Sequence, residues 1–123
     1  EVTTLVIPDL SDDREMLEKV ADFIANELDT ETSWHLSKFS PSTSWKLKKI
    51  LPTPDDIIYD AYEIGKLAGL KYVYIGNIPG DQKENTYCPH CGELAIWRLG
   101  YEVERHDMLG RCAYCDRSLD IIE

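Results

Sequence analysis

At 123 residues the chain has room for one ordinary domain, or for a small α/β unit with a lesser unit appended. Its net charge of −10, with acid spread over both halves, argues against nucleic acid as a partner, because displacing counterions from phosphates needs a basic face. No run approaches the roughly eighteen apolar residues of a membrane span, and no basic stretch leads into an apolar one at the N-terminus, so the expected setting is soluble, reducing and cytoplasmic.

The chain opens on Glu1-Val-Thr-Thr-Leu-Val-Ile7 with no initiating Met, as a fragment of something larger would. Residues 2–7 are β-branched and almost continuously apolar, which predicts a parallel strand covered on both faces. After the turn Pro8-Asp-Leu-Ser11, Asp12 and Glu15 read as a capping box. Met16, Leu17, Val20, Ala21, Ile24 and Leu28 then recur at helical spacing, predicting a helix over 13–28. Residues 33–37, Ser-Trp-His-Leu-Ser, form a second short strand in which His35 reads as a packed strand histidine.

From Lys38 to Thr53 no periodicity survives. This stretch carries Phe39, Trp45 and the basic group Lys46, Lys48 and Lys49. A long irregular loop of that composition is a lid or binding-loop candidate. Thr53 as N-cap and Pro54 at the first helical position open a second helix over 54–68, with Ile57, Ile58, Ala61, Ile64 and Leu67 as its buried stripe and Gly69 as its C-terminal cap. Lys71-Tyr-Val-Tyr-Ile75 is a third strand, followed by the loop Gly76-Asn-Ile-Pro-Gly80. The alternation β-α-β-α-β predicts three parallel strands with helices on their outer side. Ligands of such sheets gather at the carboxyl ends of the strands, which makes Asp9, Lys38, Ser40 and Asn77 the candidate rim residues.

The remaining residues, 81–123, hold every cysteine of the chain, in two pairs: Cys88-Pro-His-Cys91 and Cys112-Ala-Tyr-Cys115. The twenty residues between the pairs match the spacing at which two such turns converge on one tetrahedral ion. Gly92 supplies the positive φ that such a turn often needs; Asp116 holds the corresponding place in the second turn and tolerates that conformation better than most side chains. Leu94–Leu99 and Tyr101–Arg105, broken at Gly100, read as a hairpin, so the unit is expected to be an antiparallel zinc ribbon. Iron in a rubredoxin-like site and paired disulfides are the competing uses of the sulfurs. Four thiolates close the shell against water, which excludes a catalytic zinc, and His90 and His106 are expected to face solvent.

Three blocks carry a resemblance: Trp34-His-Leu-Ser-Lys-Phe-Ser-Pro41, Tyr72-Val-Tyr-Ile-Gly-Asn-Ile-Pro-Gly80 and Glu84-Asn-Thr-Tyr-Cys-Pro-His-Cys-Gly-Glu93. With them the whole chain resembles the C-terminal part of radical SAM enzymes of the AmmeMemoRadiSam type, relatives of pyruvate formate-lyase activating enzyme. The resemblance implies that residues 1–80 are the last strand-helix repeats of a partial β/α barrel. It also implies that residues 81–123 are an appended ribbon holding zinc. Such enzymes hold a [4Fe-4S] cluster on a Cys-x-x-x-Cys-x-x-Cys triplet, which this sequence lacks. The cluster and S-adenosylmethionine therefore belong to the parent protein alone. Ser40 stands where the activating enzymes place a cofactor-assisting histidine.

Two classes of function follow. In the first, the chain is a portion of a radical SAM enzyme: it contributes one wall of the cofactor and substrate cavity, is not catalytic alone, and has the upstream barrel segment, a protein substrate or a second copy at its open sheet edge as partners. In the second, it is a free-standing acidic zinc-ribbon interaction module, with a rubredoxin-like electron carrier as a weaker variant.

Overall fold

The computed structural model describes residues 1–121, which form two compact units, one over Glu1–Ile78 and one beginning at Pro79. The first unit is α/β. Strands β1 (Val2–Val6), β2 (Trp34–Lys38) and β3 (Val73–Gly76) lie side by side in sequence order and all run parallel, with Val2 opposite Trp34 and Trp34 opposite Val73. Two helices, α1 (Arg14–Phe23) and α2 (Asp55–Leu67), make the connections.

Both helices bury their apolar stripes against one face of this sheet. Val6, Trp34, Leu36, Val73 and Ile75 form that face and meet Leu17, Ala21 and Ile24 from the first connection and Ile58, Ala61 and Ile64 from α2. Trp34 is the pivot. It is completely buried, its indole N–H donates to Thr4 Oγ1 at 2.9 Å, and α2 approaches it so closely that a Cβ on Gly65 would lie 2.9 Å from the ring. Burying a side chain of this size gives the small core much of its apolar area.

The opposite face corrects the expectation of a sheet covered on both sides. Strict alternation carries Thr3, Leu5, His35, Ser37 and Tyr74 to that side, where Leu5 is 44% exposed and the others are exposed or half-buried. A β-branched apolar run reads alike whether one face or two are buried, and among the described residues of this unit only one is. His35 stacks on Tyr74, ring centroids 4.9 Å apart, and its Nε2 lies 3.7 Å from the Glu1 carboxylate.

Helix boundaries differ from the expected ones for local reasons. Asp13, not Asp12, is the cap of α1, its carboxylate accepting from the Met16 N–H at 2.9 Å. Asp12 instead accepts from the Asp9 N–H at 3.0 Å, and Glu15 pairs with Lys19, so no capping box forms. The last turn, Ile24–Leu28, widens to π geometry and closes with the Asp29 N–H on the Ile24 carbonyl. Thr53 does not cap α2. Its hydroxyl is turned into the protein, and Pro54 precedes the helix without a side-chain cap. Gly69 does end α2 as expected: at φ 95° it lets its own N–H reach the Lys66 carbonyl and the Leu70 N–H reach Gly65, the double closure of a Schellman motif.

The second unit is a three-stranded antiparallel sheet in the order β4 (Thr86–Tyr87), β5 (Leu94–Leu99), β6 (Glu102–Arg105). The hairpin β5–β6 forms about Gly100, φ 59°, whereas β4 was not anticipated, being only two residues long. Tyr101-Glu-Val-Glu-Arg105 alternates apolar and charged residues, as a half-buried strand would, yet every residue of β6 is exposed. The core of this unit is Cys88, Ala95, Ile96, Cys112 and Leu119.

Candidate metal centre

Each cysteine pair sits on a turn whose backbone closes in the same way. In the first, the Cys88 N–H donates to the Glu93 carbonyl and the Gly92 N–H returns to Cys88, at 2.8 and 2.9 Å. In the second, the Cys112 N–H donates to Arg117 and the Asp116 N–H returns to Cys112, both at 2.9 Å. Gly92 and Asp116 hold equivalent places at φ 78° and 58°, in the left-handed region that each turn requires.

The two turns bring all four sulfurs within 4.8 Å of one another, with Cys88 Sγ to Cys115 Sγ at 3.7 Å and Cys91 Sγ to Cys112 Sγ at 3.6 Å. Bonds of about 2.3 Å in a tetrahedron put sulfurs about 3.8 Å apart, so the cluster has the size of a single four-coordinate ion. None of the cysteines is bridged. The four cysteines are thus placed to bind a metal ion.

The surrounding backbone favours thiolates unevenly. Amide N–H groups of Cys115 and Tyr114 aimed at Cys112 lower its thiol to about 7. At Cys91 the Glu93 N–H acts in the same sense but is outweighed by burial and by the three neighbouring sulfurs, which push the thiol up to about 12. Cys115 moves upward too: the Arg117 N–H opposes that shift, while burial and the Cys88 and Cys112 sulfurs outweigh it. Sulfurs this close titrate as a set, and a cation among them would replace the protons.

His90 and His106 are both exposed and contribute no ligand to the cluster. His90 instead ties the turns together, its Nδ1 lying 3.3 Å from Arg117 Nη1. Arg111 braces the second turn through the Asp116 carboxylate, Nε to Oδ1 at 2.8 Å, and through the Asp116 carbonyl. These braces were not read from the sequence. Arg111 and Arg117 flank the second cysteine pair, which was their only visible signal.

The rim residues have definite places at the carboxyl ends of the parallel strands. Asn77, at φ 66°, donates from Nδ2 to the Lys38 carbonyl at 3.0 Å and so joins the ends of β2 and β3. The Lys38 ammonium reaches Asp55 Oδ1 at 2.5 Å. Ser40 Oγ lies 2.9 Å from Ser42 Oγ, and exposed Asp9, at φ 63°, shapes the turn after β1. Asn77 and Lys38 are therefore brought together, whereas Ser40 and Asp9 each engage their own loop. Thr53, buried where the loop returns, was missed as a member of this rim.

A two-unit α/β protein with a four-cysteine metal-binding cluster is thus the class that fold and site define. A protein of Methanocaldococcus jannaschii described as uncharacterized protein MJ0808 is 39% identical over 125 residues. That alignment takes in 99% of this chain and 37% of the relative, so the chain spans little more than a third of that protein's length. No family model matches the chain, and no solved structure does.

Proposed function

We propose that this chain is the C-terminal portion of a radical SAM protein of the pyruvate formate-lyase activating type, contributing one wall of the S-adenosylmethionine and substrate cavity, with a zinc ribbon attached. The observation that carries the reading is the one-sided sheet. Its helices cover one face, while Leu5, His35 and Tyr74 line a second face with no layer over it among the described residues. A strand-helix repeat of a barrel has that construction, outward face packed on helices and inward face turned to the barrel interior. The 37% coverage of a longer relative agrees with it.

In this reading Asp9, Lys38, Ser40 and Asn77 stand on the ligand side of the sheet. The [4Fe-4S] cluster is held by residues upstream, because the cysteines here have other spacing and fill a site of their own. The chain alone is therefore not catalytic. Zinc in the ribbon is structural, and the unbridged cysteines suit a reducing, cytoplasmic setting. Among the described residues no helix is long and apolar enough to cross a membrane.

The test uses the longer protein in which this chain resides. Anaerobic reconstitution should give a [4Fe-4S] signal and reductive cleavage of S-adenosylmethionine, both lost when the upstream triplet is changed to serine; a longer protein without such a triplet sinks the reading. Metal analysis of the present chain should find about one colourless zinc per molecule. Red absorbance would assign iron instead.

A second reading, an acidic zinc-ribbon module that docks a partner, draws on the ribbon's surface. Tyr101, Leu109 and Tyr114 are 105%, 87% and 70% exposed there, an unusual amount of apolar and aromatic surface for so small a unit. Binding partners retained by residues 79–123 alone would favour it.

A further inference from the structure

The loop between β2 and α2 is closed at its base and ordered within. Phe39 N–H donates to Thr53 Oγ1 at 3.0 Å, Thr53 N–H returns to the Phe39 carbonyl at 3.2 Å, and the Thr53 hydroxyl donates to the Val6 carbonyl at 2.5 Å. Phe39 and Thr53 are both buried, so the loop's two ends are pinned together at the carboxyl ends of β1 and β2. Inside it, Ser44 Oγ accepts from the Leu47 N–H at 3.1 Å, and the Ile50 N–H donates to the Leu47 carbonyl at 3.1 Å. A compact loop with joined ends, held by its own hydrogen bonds, is an Ω-loop, a form in which the entropy of ordering has already been spent before any partner arrives.

What this loop presents contrasts with the rest of the chain. Residues 38–53 contain four lysines and no acidic side chain, in a protein of net charge −10. Lys38 is neutralised by Asp55, but Lys46, Lys48 and Lys49 are exposed, and among the described residues none of the three has an ion-pair partner. Beside them Trp45 is 79% and Leu51 78% exposed, and the Lys46 ammonium lies 5.0 Å from the centre of the Trp45 ring. An exposed tryptophan beside an exposed leucine has the character of an interface anchor, and the lysines around it that of a charged rim.

We propose that residues 40–52 are a docking element for an acidic polypeptide segment, whose carboxylates meet Lys46, Lys48 and Lys49 and whose apolar side chains cover Trp45 and Leu51. Side chains so exposed make a convex surface, whereas small-molecule sites are concave, so a polypeptide fits better than a free anion. Nucleic acid and anionic membranes present dense continuous charge, which the −10 of the whole chain repels; a short segment with a few carboxylates between apolar residues matches the loop and little else. The proposal rests on the reading above only in taking the carboxyl ends of the strands as the side where the parent's substrate approaches, which would make that substrate's contact region acidic.

Fluorescence anisotropy on the full 123-residue chain tests it, with a labelled peptide of alternating glutamate and leucine as the probe. Binding should weaken at least about tenfold in Trp45→Ala and in the triple Lys46→Gln, Lys48→Gln, Lys49→Gln variant, and should fall as salt rises. Both variants change only exposed side chains, and an unchanged far-ultraviolet circular dichroism spectrum and thermal midpoint show that the unit carrying the loop remains folded. No binding, or binding equal in wild type and variants, overturns the proposal. So does a preference for a lysine-leucine peptide, a single-stranded oligonucleotide or phosphatidylserine vesicles over the acidic peptide. The measurement needs no cluster: peptide binding by this chain beside a longer protein without a cluster would refute the parentage alone, and a cluster-bearing parent whose loop ignores the peptide would refute the docking element alone.

Discussion

The Thr53 hydroxyl donates to the Val6 carbonyl at 2.5 Å while accepting from the Phe39 N–H at 3.0 Å, so one buried side chain satisfies two backbone groups from different strand ends. The Val6 carbonyl belongs to the last residue of β1 and the Phe39 N–H to the first residue past β2, so the hydroxyl bridges the two strands where their ladder ends. Thr53→Val keeps the shape but leaves a buried acceptor and a buried donor without partners. A cost of about 2 kcal/mol or more is expected, against about 1 kcal/mol or less for Thr53→Ser, which keeps the hydroxyl. Urea denaturation of the two variants checks this. Equal stabilities for valine and serine would show that the hydrogen bonds contribute nothing there.

Gly65 lies in the last turn of α2, where alanine would ordinarily add up to about 1 kcal/mol of helix stability. A Cβ here would stand 2.9 Å from both Trp34 Cε3 and Val73 Cγ2. Trp34 is enclosed on all sides and its indole is anchored on Thr4, so neither neighbour can yield at low cost. Overpacking of about 1–3 kcal/mol outweighs the propensity gain, and Gly65→Ala should lower the thermal midpoint. A raised midpoint would mean that α2 can shift outward freely.

Much of this architecture could be read from residue spacing, for reasons that differ between the units. Cys88, Cys91, Cys112 and Cys115 are legible because thiolate chemistry leaves few uses for two such pairs, and Gly92 and Asp116 because each turn requires positive φ. The helix stripes were legible because Leu17, Ala21, Ile24, Ile58, Ala61 and Ile64 all face the sheet. What escaped depends on long-range partners. Thr53 looks like any N-cap until Val6, forty-seven positions away, is seen to claim its hydroxyl. Leu5 and Tyr74 look like Val6 and Val73, and only the placement of both helices on one side separates them. At the metal cluster the ligands were visible, whereas Arg111 and Arg117 required the turns to be folded first.

Asp107 offers a pH test away from the sulfurs. Its carboxylate accepts two hydrogen bonds from Arg105, at 2.7 and 2.6 Å, and one from the Gly110 N–H at 2.8 Å; the Arg105 bonds chiefly hold its pKa at about 2. The ordinary value is 3.8, so the folded form prefers the ionised carboxylate. That contribution is complete above about pH 4 and is lost as the pH falls from there through 2. Asp107→Asn should therefore destabilise the ribbon by about 1–3 kcal/mol at pH 7, by a margin that stays flat down to about pH 5 and shrinks only below 4. A margin that changes between pH 7 and 5 would assign the effect to another group.

The uncovered sheet face makes the last prediction. Both outer strands, β1 and β3, leave one ladder unpaired among the described residues, and the face between them presents Leu5 beside the stacked His35 and Tyr74. Unpaired edges and exposed apolar side chains favour pairing with another polypeptide, whether a parent's remaining strands or a second copy. The isolated chain should therefore associate as its concentration rises, and Leu5→Lys should suppress this by setting a charge on the face. Because Leu5 is 44% exposed and contributes little to the core, the substitution should cost about 1 kcal/mol or less of stability. Sedimentation velocity of both proteins over a hundredfold concentration range decides it: a compact wild-type monomer throughout would mean that this face is stable in water and needs no covering layer.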